Sequence, residues 1–400
     1  MNLTRHRIGD YITDVASGPF GSNLKVECFT PTGFPIIDGA NLTGLRVTDN
    51  ITKFVTETKA RSLSRSIAKR RDVIVTISGT LGQIAYIPNN SKYEEYLCSQ
   101  RQFRATFDES KICVEYLVNL FHTPYGQRKI LAFANYVGVP ALAQPIPNFK
   151  NIEMHLPDLP TQLRIAGVLG SLDEKIELNR KKIAELEALA KTIYDYWFVQ
   201  FDFPDANGKP YKSSGGKMVW NEQLKRDLPE GWEVAMLESI FTVCSGRDHK
   251  HLPDGKFPIL GSGGTMRYGS EYLYDSESVL IPRKGTLNNV MFMQTPFWTV
   301  DTMFFTRAKR PHLMKYVYMT IRDFDFARLN TGTGVPSMTS SIINRIAITV
   351  PPKDLAERFD ILLGDCFSRI ELIKSEIEML RTERDTLLPL LMNGQVKVAG

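Results

Sequence analysis

A ladder of apolar residues between Pro160 and Phe203 constrains this chain more than any other feature. Alternating steps of four and three from Ile165 give Ile165, Leu169, Leu172, Ile176, Asn179, Ile183, Leu186, Ala190, Ile193 and Trp197. This a/d seam persists for about five heptads, and it predicts a coiled-coil helix rather than an ordinary amphipathic one. The same steps, moved 194 residues along, give Phe359, Leu363, Cys366, Ile370, Ile373, Ile377, Leu380, Arg384, Leu387 and Leu391. Ile176-Glu177-Leu178 reappears in phase as Ile370-Glu371-Leu372. Two ladders in one phase point to an internal repeat. Asn179 is the polar member of the first seam; it either fixes register or is tolerated at a wet position.

The remainder reads as two globular segments of similar design. Residues 1–155 are strand-rich, with the β-branched run Asp72 to Ile77 ending in the turn Ser78-Gly79-Thr80-Leu81-Gly82. Pro160 suits the first turn of the first long helix, which is expected to run to about Phe198. A Gly/Ser/Asn/Pro-rich connector follows over residues 204–231. After Trp232 the first half starts again. Ser245-Gly246 answers Ser17-Gly18, Pro258-Ile259-Leu260 answers Pro35-Ile36-Ile37, Gly285-Thr286-Leu287 answers Gly79-Thr80-Leu81, and Gly334-Val335-Pro336 answers Gly138-Val139-Pro140. Asp354 with Glu357 reads as a capping box opening the second long helix; Pro389 and Asn393-Gly394 read as its end.

Charge separates these parts. Residues 1–156 carry 18 Lys+Arg against 13 Asp+Glu, and residues 200–349 carry 18 against 15. The two helical segments are slightly acidic, with 6 against 7 over residues 157–199 and 7 against 9 over residues 350–400. The globular segments are therefore the parts suited to phosphates, and the helices suit protein partners. The five cysteines have no Cys-x-x-Cys spacing, which favours reduced thiols in a cytoplasmic protein. No apolar run is long enough to cross a membrane, and the N-terminus has no apolar signal region.

Several longer stretches resemble the specificity subunits of type I restriction–modification systems. They are Leu156-Pro157-Asp158-Leu159-Pro160-Thr161-Gln162-Leu163-Arg164-Ile165-Ala166, Leu172-Asp173-Glu174-Lys175-Ile176-Glu177-Leu178-Asn179, Tyr196 to Phe203, Leu228-Pro229-Glu230-Gly231-Trp232-Glu233-Val234 and Leu387 to Gly394. The resemblance covers essentially the whole chain. It departs from the family pattern at Thr161, where glutamate is usual, and at the second helix start, which lacks the proline signature. It implies an α+β fold with two target-recognition domains alternating with two long helices. The helices pair as an antiparallel coiled coil, related by a pseudo-twofold internal repeat. The implied division is residues 1–156 for the first recognition domain, 157–203 for the first helix, 204–231 for a linker, 232–350 for the second domain, 351–394 for the second helix and 395–400 for a tail. It further implies double-stranded DNA, two modification (adenine methyltransferase) subunits and restriction subunits as partners, a bipartite asymmetric DNA site, a role in prokaryotic defence, and no catalysis by this chain alone. S-adenosylmethionine, and ATP and Mg²⁺ for restriction, belong to the assembled complex.

The residues themselves point the same way on chemistry. There is no Asn/Asp-Pro-Pro-aromatic methyltransferase motif, and Gly216-Lys217-Met218 and Gly255-Lys256-Phe257 lack the P-loop hydroxyl and spacing. A metal-dependent nuclease remains the enzymatic alternative, on the loose pattern Pro157-Asp158…Asp173-Glu174-Lys175. Its second half, however, falls in the coiled coil rather than on a strand. A coiled-coil scaffold that binds no DNA is the third reading; the duplicated basic segments argue against it. For DNA, cations set affinity, while Arg, Asn, Gln, Ser and Thr reach base edges. The first segment offers Arg61, Arg65, Lys69, Arg70 and Arg71, of which the first three share a face if helical, with Ser78, Thr80, Arg101 and Arg104. The second offers Arg283, Lys284, Thr286, Asn288 and Asn289 in the matching turn, with Arg247, His249, Lys250 and Arg267. His249 and His251 lack the partners of a zinc site, and no metal or catalytic residue is assigned.

Overall fold

A computed structural model describes residues 2–332, 334–396 and 398, so the tail positions Lys397, Ala399 and Gly400 lie outside the described residues. The chain divides into two compact units. Unit 1 comprises Met1–Asn179 with Glu376–Gly400, and unit 2 comprises Arg180–Ser375. Each unit therefore holds one globular segment and a part of each long helix.

The two units repeat one topology. In unit 1 an antiparallel sheet has the order Ile12–Ser17, Gln102–Phe107, Val73–Thr76, Ile84–Tyr86. In unit 2 the order is Phe241–Ser245, Met303–Ala308, Ser278–Pro282, Met291–Met293. The central strands Val73–Thr76 and Ser278–Pro282 are buried along their whole length, as their mainly apolar sequences favour. A helix follows the sheet in each unit, Val114–His122 in one and Met314–Ile321 in the other, each carrying a fully buried tyrosine, Tyr116 and Tyr316. A second sheet, five-stranded in unit 1 and three-stranded in unit 2, contains one parallel pair per unit, Ile36 beside Leu97 and Ile259 beside Trp298. The segment ends are then clasped antiparallel, Thr4–Arg7 with Glu153–Leu156 and Glu233–Met236 with Ala347–Val350.

The long helices span Leu159–Tyr194 and Lys353–Met392. Every seam residue read from the sequence is buried or half-buried. Within unit 1 the helices pair antiparallel: Arg384 reaches Asp173 at 2.8 Å, and Lys175 reaches Glu376 at 2.7 Å. Asn179 is 2 % exposed, and its amide donates to Glu376 Oε2 at 2.9 Å. A buried amide hydrogen-bonded across the pair is the arrangement by which a polar seam residue fixes register. Within unit 2 the direction is again antiparallel, with Cys366 against the Leu186 carbonyl and Phe359 against Trp197.

The helix ends differ from expectation in instructive ways. Asp158 caps the first helix, its carboxylate accepting from the Thr161 amide at 3.0 Å. Gln162 is buried; its Oε1 accepts from the Cys113 amide at 3.0 Å and its Nε2 donates to the Pro157 carbonyl at 2.9 Å. This glutamine thus ties the helix start to the globular segment. The α-helix stops at Tyr194 and widens into a π-turn over Asp195–Val199, which turns Trp197 and Phe198 into the core. In the second helix Lys353 is already helical, so Asp354 lies inside the first turn and does not form the expected capping box. Glu357 pairs with Lys353 instead.

Residues 204–231 are not an open connector. They form a hairpin, Met218–Asn221 against Arg226–Pro229, and Tyr211 stacks on Phe203 at 4.7 Å. Asp202 accepts from the Ser213 amide and hydroxyl at 2.7 and 2.6 Å. The Gly and Ser content serves turns in a folded segment.

Candidate nucleic-acid interface

In each unit, one end of the antiparallel sheet gathers the loops. The turn after Val73–Thr76 needs a left-handed glycine at Gly79 (φ +92°), and its counterpart needs one at Gly285 (φ +84°). Gly79 N–H donates to the Pro140 carbonyl at 2.8 Å, and Gly285 N–H donates to the Pro336 carbonyl at 2.9 Å. Leu142 N–H then bonds the Ile77 carbonyl, and Met338 N–H bonds that of Arg283. A third loop joins through Gly18 N–H to Gln102 O in unit 1 and Gly246 N–H to Met303 O in unit 2. A Cβ at Gly18 would fall 1.8 Å from the Ser99 oxygen, and one at Gly246 would fall 2.1 Å from the Val300 oxygen. The glycines shared by the two halves of the sequence are therefore the fastenings of two equivalent loop clusters.

Few of the cations in unit 1 face outward from this cluster. Arg101 does: it is exposed, makes no ion pair among the described residues, and lies over Gly79, whose Cβ position is 3.5 Å from its Nη1. Thr80 is exposed beside it, and Ser78 is half-buried, bridging Ala141. The basic stretch from Arg61 is not one helix. It breaks into a helix, Glu57–Ser62, a 3₁₀ turn, Ser64–Ser66, and a strand, Ile67–Lys69, so Arg61, Arg65 and Lys69 share no helical face. Arg61 pairs with Glu57 and Glu95 at 2.8 and 2.6 Å, and Lys69 approaches Glu95 at 3.8 Å. Arg70 bonds the Ser91 carbonyl at 2.8 Å and approaches Glu94. Arg71 is held by Glu115 and Glu109, whose hydrogen bonds push its guanidinium pKa further up. Arg104 is 8 % exposed, with Asp14 at 2.6 Å and Asp72 at 3.8 Å. Arg71 and Arg104 are thus tied into the fold by carboxylates. Arg65 is exposed and makes no ion pair among the described residues.

In unit 2, Arg247 and Lys250 are exposed without ion pairs among the described residues, and Thr286 is exposed. Arg283 is half-buried over the Phe304 ring, and Lys284 approaches Asp301 at 3.7 Å. Arg267 is spent on its own loop, bonding Asp254, the His249 and Leu252 carbonyls and His249 Nδ1. Arg267 and His249 are thus tied to each other within that loop. The two turn amides are also committed. Asn288 bonds Asp325 and the Ala327 amide, and Asn289 donates to the Ser262 carbonyl at 2.8 Å. Sequence reasoning missed Gln100, whose Oε1 lies 2.5 Å from the Cβ position of Gly21. It also missed the exposed apolar tips Phe20, Val137 and Val139. Apolar residues inside Gly/Pro-rich loops were the available signal.

The nuclease pattern does not converge. The Asp158 carboxylate caps its helix, Asp173 binds Arg384, Glu174 faces Arg46 and Lys175 binds Glu376. Burial pushes the Cys98 thiol up to about 12 and that of Cys113 up to about 11, away from thiolate chemistry. Among the described residues no group of three or more His, Cys, Asp or Glu could hold a metal, and no helix is long and apolar enough to cross a membrane.

Comparison with known proteins gives a consistent picture. A family model described as type I restriction modification DNA specificity domain matches residues 25–188 and 229–379. The MjaIX type I restriction enzyme specificity subunit of Methanocaldococcus jannaschii is 24 % identical over 370 residues, covering 86 % of this chain and 82 % of the relative. The HindI specificity subunit of Haemophilus influenzae is 19 % identical over 321 residues, covering 62 % and 70 %. The crystal structure of a type I restriction–modification S subunit from M. genitalium superposes with a TM-score of 0.62 at 17 % identity, covering 98 % of this chain and 96 % of that one.

Proposed function

The chain belongs to the type I restriction–modification DNA specificity family, and on that premise we propose that each loop cluster reads one half of a bipartite site. The observation that carries this reading is the repeated fastening: Gly79 to Pro140 and Gly285 to Pro336 build one platform twice, with different side chains mounted on it. The chain is the non-catalytic, DNA-recognising component; methyl transfer and cleavage belong to its partners. Arg101 and Thr80 lead the reading set in unit 1. Arg247, Lys250, Arg283, Lys284 and Thr286 lead it in unit 2.

The helices supply the protein-binding face. Within unit 2 a groove of about 500 Å³ is lined by Leu186, Leu189, Leu372 and Ile373 with Lys182, Glu185 and Arg369 at its rim. Leu372 is 72 % exposed, although the seam is filled from the other side. Within unit 1 Leu178 and Met379 are likewise exposed. Apolar surface of this kind on a paired helix suits further helices. We assign it to two modification subunits, with restriction subunits joining for cleavage. S-adenosylmethionine, ATP and Mg²⁺ are then bound by those partners, in the cytoplasm.

Selection from a randomised DNA library by the assembled methyltransferase tests independent readout. Arg101→Ala should relax preference in one half-site, and Arg283→Ala with Lys284→Ala in the other. A lost base contact costs about 1–3 kcal/mol, whereas a lost phosphate contact lowers the salt slope by about one and leaves preference intact. Equal degradation of both half-sites by either variant would contradict the two-cluster reading.

A further inference from the structure

The two loop clusters differ in chemistry at one equivalent place. In unit 1 the loop fastened at Gly18 carries Phe20, which is 82 % exposed. Its backbone is nonetheless fixed. Asn23 N–H bonds the Phe20 carbonyl at 2.8 Å, and Leu24, next along, is buried. In unit 2 the loop fastened at Gly246 carries, two residues on, Asp248, beside the exposed Arg247. An ordered loop that holds a phenylalanine in water gains nothing for folding, because a large aromatic is normally the first residue to be buried.

We infer that Phe20 is a specificity-determining residue that packs on the 5-methyl group of a thymine in the half-site read by unit 1. The inference rests on the proposed use of these loops for DNA. Its neighbours select the ligand. Gln100 lies against Gly21, next to Phe20, and Arg101 lies over Gly79, so an amide and a guanidinium with no ion pair among the described residues belong to the same loop cluster. Amide and guanidinium groups distinguish base pairs in the major groove, where thymine alone among the natural bases presents a methyl group for an apolar side chain. The minor groove presents no such methyl, so an apolar wedge inserted there would act without regard to it, and the thymine-to-uracil comparison separates the two modes. Asp248 in the equivalent loop repels phosphate and cannot read a methyl. The two half-sites therefore differ in their need for thymine at this position.

The test uses the full chain assembled with its modification subunit and duplexes in which each thymine of the target is replaced in turn by deoxyuridine, which lacks only the methyl. In one half-site, uracil should weaken equilibrium binding about four-fold, the factor that burial of one methyl group carries. Phe20→Ala should bind the thymine and uracil duplexes equally there, and Phe20→Leu should restore the difference. Uracil effects in the other half-site should be the same for all three proteins. Uracil penalties identical in wild type and Phe20→Ala would overturn the inference, as would no penalty anywhere. So would a loss in Phe20→Ala that is independent of the methyl, the sign of a wedge. If the wild-type complex bound target and scrambled duplexes alike, the proposed function itself would fail instead.

Discussion

Lys315→Glu is expected to destabilise unit 2 by about 3–5 kcal/mol, the range for a buried ion pair broken from one side. The Lys315 side chain is 5 % exposed, and its ammonium lies 2.5 Å from Glu277 and 2.9 Å from Asp360. It joins the sheet, the helix Met314–Ile321 and the second long helix at one point. Reversal would crowd three carboxylates into that site. Unit 1 shows how the same fold accommodates the opposite sign: the corresponding pair is Arg71 with Glu115, and Ala166 stands where the long helix of unit 2 has Asp360. The triple variant Glu277→Arg, Lys315→Glu, Asp360→Ala should therefore recover most of the loss. Denaturant unfolding of the single and triple variants measures this. A triple variant no more stable than the single one would refute the equivalence of the two sites.

Phe359→Ala should cost a similar amount, about 3–5 kcal/mol, through the cavity it leaves. Phe359 is fully buried, with ring centroids of Phe198, Trp197 and Tyr194 at 4.6, 5.8 and 6.4 Å. It is the seam residue that locks the start of the second helix onto the end of the first within unit 2. The contrast is Leu372→Ala on the same helix. Leu372 faces out, so its loss should change stability by less than about 0.5 kcal/mol while weakening capture of the modification subunit. Denaturant unfolding, together with pull-down of that subunit, separates the two faces. A destabilising Leu372→Ala and a neutral Phe359→Ala would put the seam in the wrong phase.

The seam was legible because burial on a helix imposes a period, and a period survives in a bare string of letters. The internal repeat was legible for a related reason: Gly79, Gly285, Gly18 and Gly246 occupy places where no Cβ fits or where φ is positive, so the letters themselves record the geometry. The candidate DNA-facing set was less legible. Arg71 looks like any cation until strand pairing brings Glu109 and Glu115 to it from about forty residues away. Asn288 likewise looks free until Asp325 and Ala327 approach from a distant turn. Long-range partners, unlike periods, leave no local mark. The hairpin within residues 204–231 was hidden by its composition, since turn residues read alike in a folded hairpin and in an open linker.

The central claim is that this chain, and not its partners, chooses a bipartite DNA site. Methylome sequencing of cells carrying the chain with its neighbouring modification subunit measures that choice directly. N6-methyladenine is expected in one asymmetric motif of two short specified halves separated by a fixed unspecified spacer. Cells lacking either component should show no mark at that motif. Methylation at a single continuous motif, or the same motif with this chain deleted, would contradict it.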